Sequence, residues 1–166
     1  MMTTGCNMNA SSYSAVDLTR ANRNIHANEI VTAYGYYGFS ETKNRYELLE
    51  FIGVDPVETE WCAAFVNAVL KEDGIEGSES VSAFPLTARS FLLWGEEVDT
   101  PKSGDIVVFP RGEPWQGHVG FYVRTVMLAE GPHYVILGGN QEDKVSLEYY
   151  PASKAISIRR RLQQPV

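Results

Sequence analysis

Five side chains in this sequence can act as a thiol nucleophile or an imidazole base: Cys6, Cys62, His26, His118 and His133. Cys62 stands at the start of an expected helix, with Thr59 as its N-cap and Glu60, Trp61 and Cys62 at the first three helical positions. A thiol there faces unpaired backbone N–H groups and the positive end of the helix dipole, which favours the thiolate that attacks carbonyl carbon. Glu60 opposes this from solvent. An inert buried cysteine is the alternative, since free cysteine is among the most buried residue types. His118 opens the run His118-Val119-Gly120-Phe121-Tyr122-Val123 after the loop Arg111 to Gly117. Strand alternation puts Val119, Phe121 and Val123 on one face and His118, Gly120 and Tyr122 on the other. Gly117 and Gly120 are expected to leave space around the imidazole, as a base approached by substrate needs.

A polar third residue is offered by Leu137-Gly138-Gly139-Asn140-Gln141. If alternation continues, Ile136, Gly138 and Asn140 share a face, and the Asn140 carboxamide can accept the imidazole Nδ1–H and fix its tautomer. Gln141 competes for this place, because a bulge at Gly138-Gly139 would exchange the two. The alternative for the whole segment is a plain hairpin turn. Cys6 lies in the polar stretch Met1 to Ser14, expected as a flexible tail (residues 1–14) before a single catalytic domain (residues 15–166). His26 sits in a weakly patterned region and His133 follows Gly131-Pro132, so both are expected to be solvated.

The elements that must position these residues divide the chain in two. Helical patterning covers Asn28 to Tyr34, Glu41 to Phe51, the segment after Thr59 with Trp61, Ala64, Phe65, Ala68 and Val69 on one face, and Phe84 to Trp94. From Lys102 the period changes. Asp105 to Phe109, His118 to Arg124, Tyr134 to Leu137, Val145 to Tyr149 and Ile156 to Arg159 read as short strands separated by turn residues. Helices followed by an antiparallel sheet of about five strands predict an α+β fold. Tyr34 to Phe39 and Trp115 either line a groove or pack.

Composition narrows the function class. The 166 residues are 44% hydrophobic and 21% charged, ordinary for a globular protein. Net charge is −7 and basic residues are scattered apart from Arg159-Arg160-Arg161, so nucleic acid is not an expected partner. No stretch approaches the roughly 20 apolar residues of a membrane span, and Met1 is not followed by a basic and apolar leader. Synthesis in the cytoplasm without a signal peptide is expected. The Cys and His residues show no CxxC or HExxH spacing, so no metal or other cofactor is expected.

Four blocks, Trp61-Cys62-Ala63-Ala64-Phe65-Val66-Asn67, Gly104 to Phe109, Gly117 to Tyr122 and Leu137 to Gln141, resemble the signature blocks of a phage and bacterial family within the NlpC/P60 and CHAP superfamily. The resemblance spans Asn28 to Arg160 and implies a papain-like fold with a cysteine nucleophile and a histidine base. It implies cleavage of peptide or amide bonds in peptidoglycan, as an endopeptidase or N-acetylmuramoyl-L-alanine amidase acting as a phage lysin, a virion-associated wall hydrolase or an antibacterial effector. The nucleophile carries over to Cys62, the base to His118 and the third residue to Asn140. Two positions depart from the pattern: Gly138 where many CHAP sites have glutamate, and Trp61 where many NlpC/P60 members have aspartate. The implied partners are peptidoglycan stem peptides, and an immunity protein or phage structural protein, with a monomeric enzyme acting in the periplasm or at the wall after release, delivery or within a virion. An acyltransferase, transglutaminase or deamidase on the same scaffold, and a catalytically silent wall-binding module, are the alternatives.

Overall fold

Three helices precede the sheet in a computed structural model that describes residues 28–163; the expected tail, Cys6 and His26 lie outside these residues. Helix α1 (Asn28–Tyr34) has the expected bounds and buries Ile30 and Ala33. Helix α2 (Arg45–Ile52) buries Leu48 and Ile52 and ends at Gly53, whose φ of 76° lets its N–H reach the Leu49 carbonyl. Helix α3 (Cys62–Glu72) buries Cys62 through Val66, Val69 and Leu70. It begins later than expected, with Trp61 rather than Thr59 at the cap and no side-chain cap bond. Trp61 is fully buried, edge-to-face with Phe65 at 6.3 Å. Burying an indole is worth about 4 kcal/mol or more, against about 1 kcal/mol for a threonine cap, so packing decides where the helix starts. The segment 84–94 forms a 3₁₀ turn over Ala88–Leu93 instead of an α-helix. There the Ser90 hydroxyl bonds the Thr87 carbonyl and the Ser78 hydroxyl.

The sheet has six strands in the order β1-β6-β2-β3-β4-β5, and every neighbouring pair is antiparallel. They are β1 (Glu96–Glu97), β2 (Ile106–Pro110), β3 (Gly117–Leu128), β4 (Gly131–Gln141), β5 (Lys144–Pro151) and β6 (Ser157–Arg160). The strand beyond the expected five is β1, too short to carry an alternation. The expected parity of β3 is observed. Val119 and Phe121 join Ile106, Val108, Val135 and Leu137 in the core beneath α3, while Tyr122 joins Val107, Phe109, Ile136 and Ile158 on the other face. The ring of Tyr150 on β5 stacks on Phe109 of β2 although β3 and β4 stand between them, so the sheet curls around that second core. Asp105, at the foot of β2, accepts both arms of Arg160 at 2.9 and 2.6 Å and the Lys102 N–H at 2.7 Å, tying β6 to β2. Helices packed on one face of an antiparallel sheet give the α+β, papain-like arrangement expected. Among the described residues, no helix is long and apolar enough to cross a membrane.

Candidate active site

Cys62 occupies the first residue of α3 and is 4% exposed. The backbone N–H groups of Val119 and Ala63 stand close enough to its sulfur to favour the thiolate. Val119 follows His118 in β3, so this contact brings the thiol to the strand end that carries the imidazole. Burial pushes the thiol pKa up; the Val119 N–H, Arg111 and the Ala63 N–H pull it back, and Glu60 adds to the rise. Desolvation thus works against the thiolate that the helix start is expected to favour, and it is the largest of these influences.

His118 is 2% exposed and pairs with Phe109 across β2 and β3. Its Nε2 lies 2.9 Å from Gln141 Oε1. The Gln141 amide is held by its other end: Nε2 donates to the Ser146 carbonyl at 2.7 Å and to the Ile136 carbonyl at 3.3 Å. Two carbonyl acceptors fix which end of the carboxamide is nitrogen, so its oxygen faces the imidazole and can only accept. The imidazole therefore carries its proton on Nε2. Its Nδ1 is buried, has no hydrogen-bond partner among the described residues, and is the free base nitrogen. Burial lowers the His118 pKa to about 4; the Gln141 bond opposes this and Arg111 adds to it. Both shifts favour the uncharged form of the group, thiol at Cys62 and neutral imidazole at His118.

Gln141, rather than the expected Asn140, faces the imidazole, and the bonded nitrogen is Nε2 rather than Nδ1. Pairing of β4 with β5 is regular to Gly138↔Ser146, breaks, and resumes at Gln141↔Lys144. Asn140 sits in this break at φ 54°, a left-handed conformation that asparagine tolerates. Its Nδ2 donates to Glu60 Oε2 at 2.7 Å, which also faces Arg111 Nη1 at 3.9 Å. Gly138 supplies the room: a Cβ there would stand 3.1 Å from Gln141 Oε1. Glu142 and Asp143, at φ 50° and 61°, then turn the chain in two residues as a type I′ hairpin requires.

Other expectations change as well. Gly120 does not clear space for the imidazole; a Cβ there would come within 2.5 Å of Ile136 Cγ2, so its absence lets β3 and β4 close. Gly117 similarly admits the Phe109 carbonyl, 2.9 Å from where a Cβ would be. His133 is buried within β4, its Nδ1 bonded to the Gly131 carbonyl at 3.0 Å, because β4 begins two residues before it. The Tyr34 to Phe39 aromatics pack: Tyr36 stacks on Phe51 at 3.9 Å and meets Phe65 edge-on.

Two residues emerge that sequence reasoning did not single out. Arg111 and Tyr150, with His118, Asn140, Gln141 and Glu148, line a cleft of about 340 Å³. Arg111 follows β2 directly and its charge reaches Cys62, His118 and Tyr150. Nothing in the periodicity marks it. The sequence profile of the CHAP domain family matches residues 54–140, more than half of the chain, starting before Cys62 and stopping one residue short of Gln141. Comparison with curated proteins finds no match.

Proposed function

Because the chain belongs to the CHAP domain family, which at the family level carries hydrolase or amidase action on peptidoglycan, we propose that it is a cysteine hydrolase of peptide or amide bonds in the wall. Cys62 is the nucleophile, His118 the base and Gln141 the residue that orients it. The observation that carries this reading is the locked Gln141 amide, which orients the imidazole proton to Nε2 and leaves Nδ1 bare on β3, the strand packed against the helix that carries the thiol. Asn140 serves the rim of the site through Glu60.

His118 Nδ1 takes the Cys62 proton as sulfur attacks the scissile carbonyl carbon, forming the C–S bond. Starting from a neutral pair, this transfer accompanies attack rather than preceding it. The imidazolium so formed donates Nε2–H to Gln141, a charge-assisted bond stronger than the neutral one at rest. The new oxyanion is served by backbone N–H at the start of α3. Collapse breaks the C–N bond as Nδ1–H protonates the leaving amine. Water, giving a proton to Nδ1, attacks the thioester, and sulfur leaves with that proton.

Incubation of the purified protein with peptidoglycan fragments, with products identified by mass spectrometry, tests the proposal. An endopeptidase releases a shortened stem with a new amino group, and an amidase separates the stem at L-alanine from the lactyl sugar. Either product, absent with Cys62→Ser, supports the reading. Intact fragments under conditions where the wild type is folded overturn it.

A further inference from the structure

On the far side of the imidazole from the core beneath α3 lies a ring that the mechanism above does not use. Tyr150 stacks on His118 with ring centroids 5.3 Å apart and planes inclined by 21°, and on Phe109 at 4.6 Å and 24°. Its hydroxyl donates at 3.2 Å to Gln141 Oε1, the oxygen that also meets the imidazole Nε2. A carboxamide oxygen has two lone-pair directions, and here both are taken. We propose that Tyr150 is a positioning residue of the reaction, its ring holding the plane of His118 and shielding it from water while its hydroxyl holds the Gln141 oxygen that orients the base. This rests on the reading of Cys62 and His118 as the reacting pair.

Physical chemistry supports both halves of the role. An imidazole at a strand end keeps rotational freedom about its side-chain bonds unless something packs on its faces. Tyr150 supplies one such wall, itself backed by Phe109. Burial raises the phenol pKa, so the group remains an O–H donor wherever the enzyme works. Tyr150 also forms part of the wall of the cleft that His118 lines. Burial from water is the largest cause of the depressed His118 pKa, and the Tyr150 ring covers one face of that imidazole. The charged and titratable groups around the cleft that His118 lines are Arg111 after β2, Glu142 in the β4–β5 turn, and Glu148, Tyr149 and Tyr150 itself on β5, with Cys62 and Glu60 on the α3 side.

The test uses Tyr150→Phe and Tyr150→Leu in the full chain, with two readouts that need no substrate. The first is ¹⁵N NMR of the His118 ring across pH, which reports tautomer and titration together. The second is the pH dependence of Cys62 alkylation by iodoacetamide. In the wild type, His118 is expected as the Nε2–H tautomer, titrating near its depressed pKa of about 4. Tyr150→Phe keeps the stack, so titration stays within about half a unit, while Nε2–H exchanges with solvent several-fold faster and kcat falls several-fold at unchanged KM. Tyr150→Leu opens the ring face, so the titration moves up by about one unit or more toward the ordinary histidine value and both tautomers appear. The alkylation profile shifts in the same direction. A folded Tyr150→Leu protein with unchanged titration and tautomer overturns the proposal. If that variant does not fold, unchanged Nε2–H exchange and kcat in Tyr150→Phe overturn it. Wild-type protein inert toward peptidoglycan but showing these NMR changes would remove the wall substrate and leave the role of Tyr150 standing.

Discussion

Replacing Gln141 by alanine removes both the acceptor for His118 Nε2–H and the donors to the Ser146 and Ile136 carbonyls. During attack the imidazole becomes charged, and a hydrogen bond to a charged group contributes about 2 kcal/mol. At about 1.36 kcal/mol per decade, kcat should fall roughly 30-fold, with KM little changed. Stability should fall too, since each orphaned buried group costs about 1–3 kcal/mol. The counterpart at Asn140 is best made as Asn140→Gly, because alanine at φ 54° would add backbone strain of about 1–2 kcal/mol. It loses only a bond to Glu60, whose side chain is 77% exposed, so turnover should stay within about twofold. Gln141→Glu completes the series. It keeps an acceptor toward the imidazole but sets a carboxylate oxygen against two backbone carbonyls, so it should be as destabilised as Gln141→Ala. The assay is release of products from peptidoglycan fragments, with circular dichroism and urea midpoints as controls for folding. A folded Asn140→Gly variant that loses about tenfold in kcat, beside a Gln141→Ala variant near wild type, would refute the geometric argument.

Further outcomes follow from the same geometry. Cys62→Ser should fold with a near-native urea midpoint and show no turnover, since a serine hydroxyl is a far weaker acid than a thiol; turnover close to wild type would sink the nucleophile assignment. The His118 pKa is about 4 in the folded protein and 6.5 in its ordinary state. The unfolded chain therefore binds more protons between these values, and stability should drop by about 3 kcal/mol as pH falls through that window. Urea unfolding at about pH 7 and about pH 4.5 should show this slope in the wild type and lose it in His118→Ala. Gly139→Ala should lower the melting temperature, because its Cβ would stand 2.6 to 2.8 Å from the Trp61 ring and the Phe65 Cβ; overpacking of about 1–3 kcal/mol corresponds to several degrees in a chain of this size.

What can be read from the sequence divides along the line between local pattern and long-range contact. The parity of β3 is a property of one strand, and it holds: Val119 and Phe121 enter the core beneath α3, and His118 meets Tyr150 on the opposite face. The bounds of α1 are legible for the same reason. The start of α3 is not, because a threonine cap is a local preference and the burial of Trp61 against Phe65 and Gly139 is not. The residue facing the imidazole escapes on the same ground. Parity selects Asn140 only while β4 stays regular, and the break after Gly138 is set by the β4–β5 pairing and by a bond from Asn140 to a residue 80 positions earlier. The bulge is visible as a possibility in Gly138-Gly139, but its outcome is not. Tyr150 carries no signal at all, since its stack on His118 depends on the curl of the sheet.

A buried thiol with a raised pKa, such as that of the proposed nucleophile Cys62, is also a poor target for oxidants. Peroxide reacts with thiolate, and the step to sulfenic acid follows thiolate character and exposure. Burial works against both at Cys62, which is 4% exposed with its pKa raised. Cys62 should therefore stay reduced in air without a reductant, unlike the thiolate of enzymes that store one ready-made. In the proposed reaction that durability has a kinetic counterpart, since the burial that keeps peroxide from the sulfur is also what a scissile amide would have to overcome by arriving with its carbonyl already aligned.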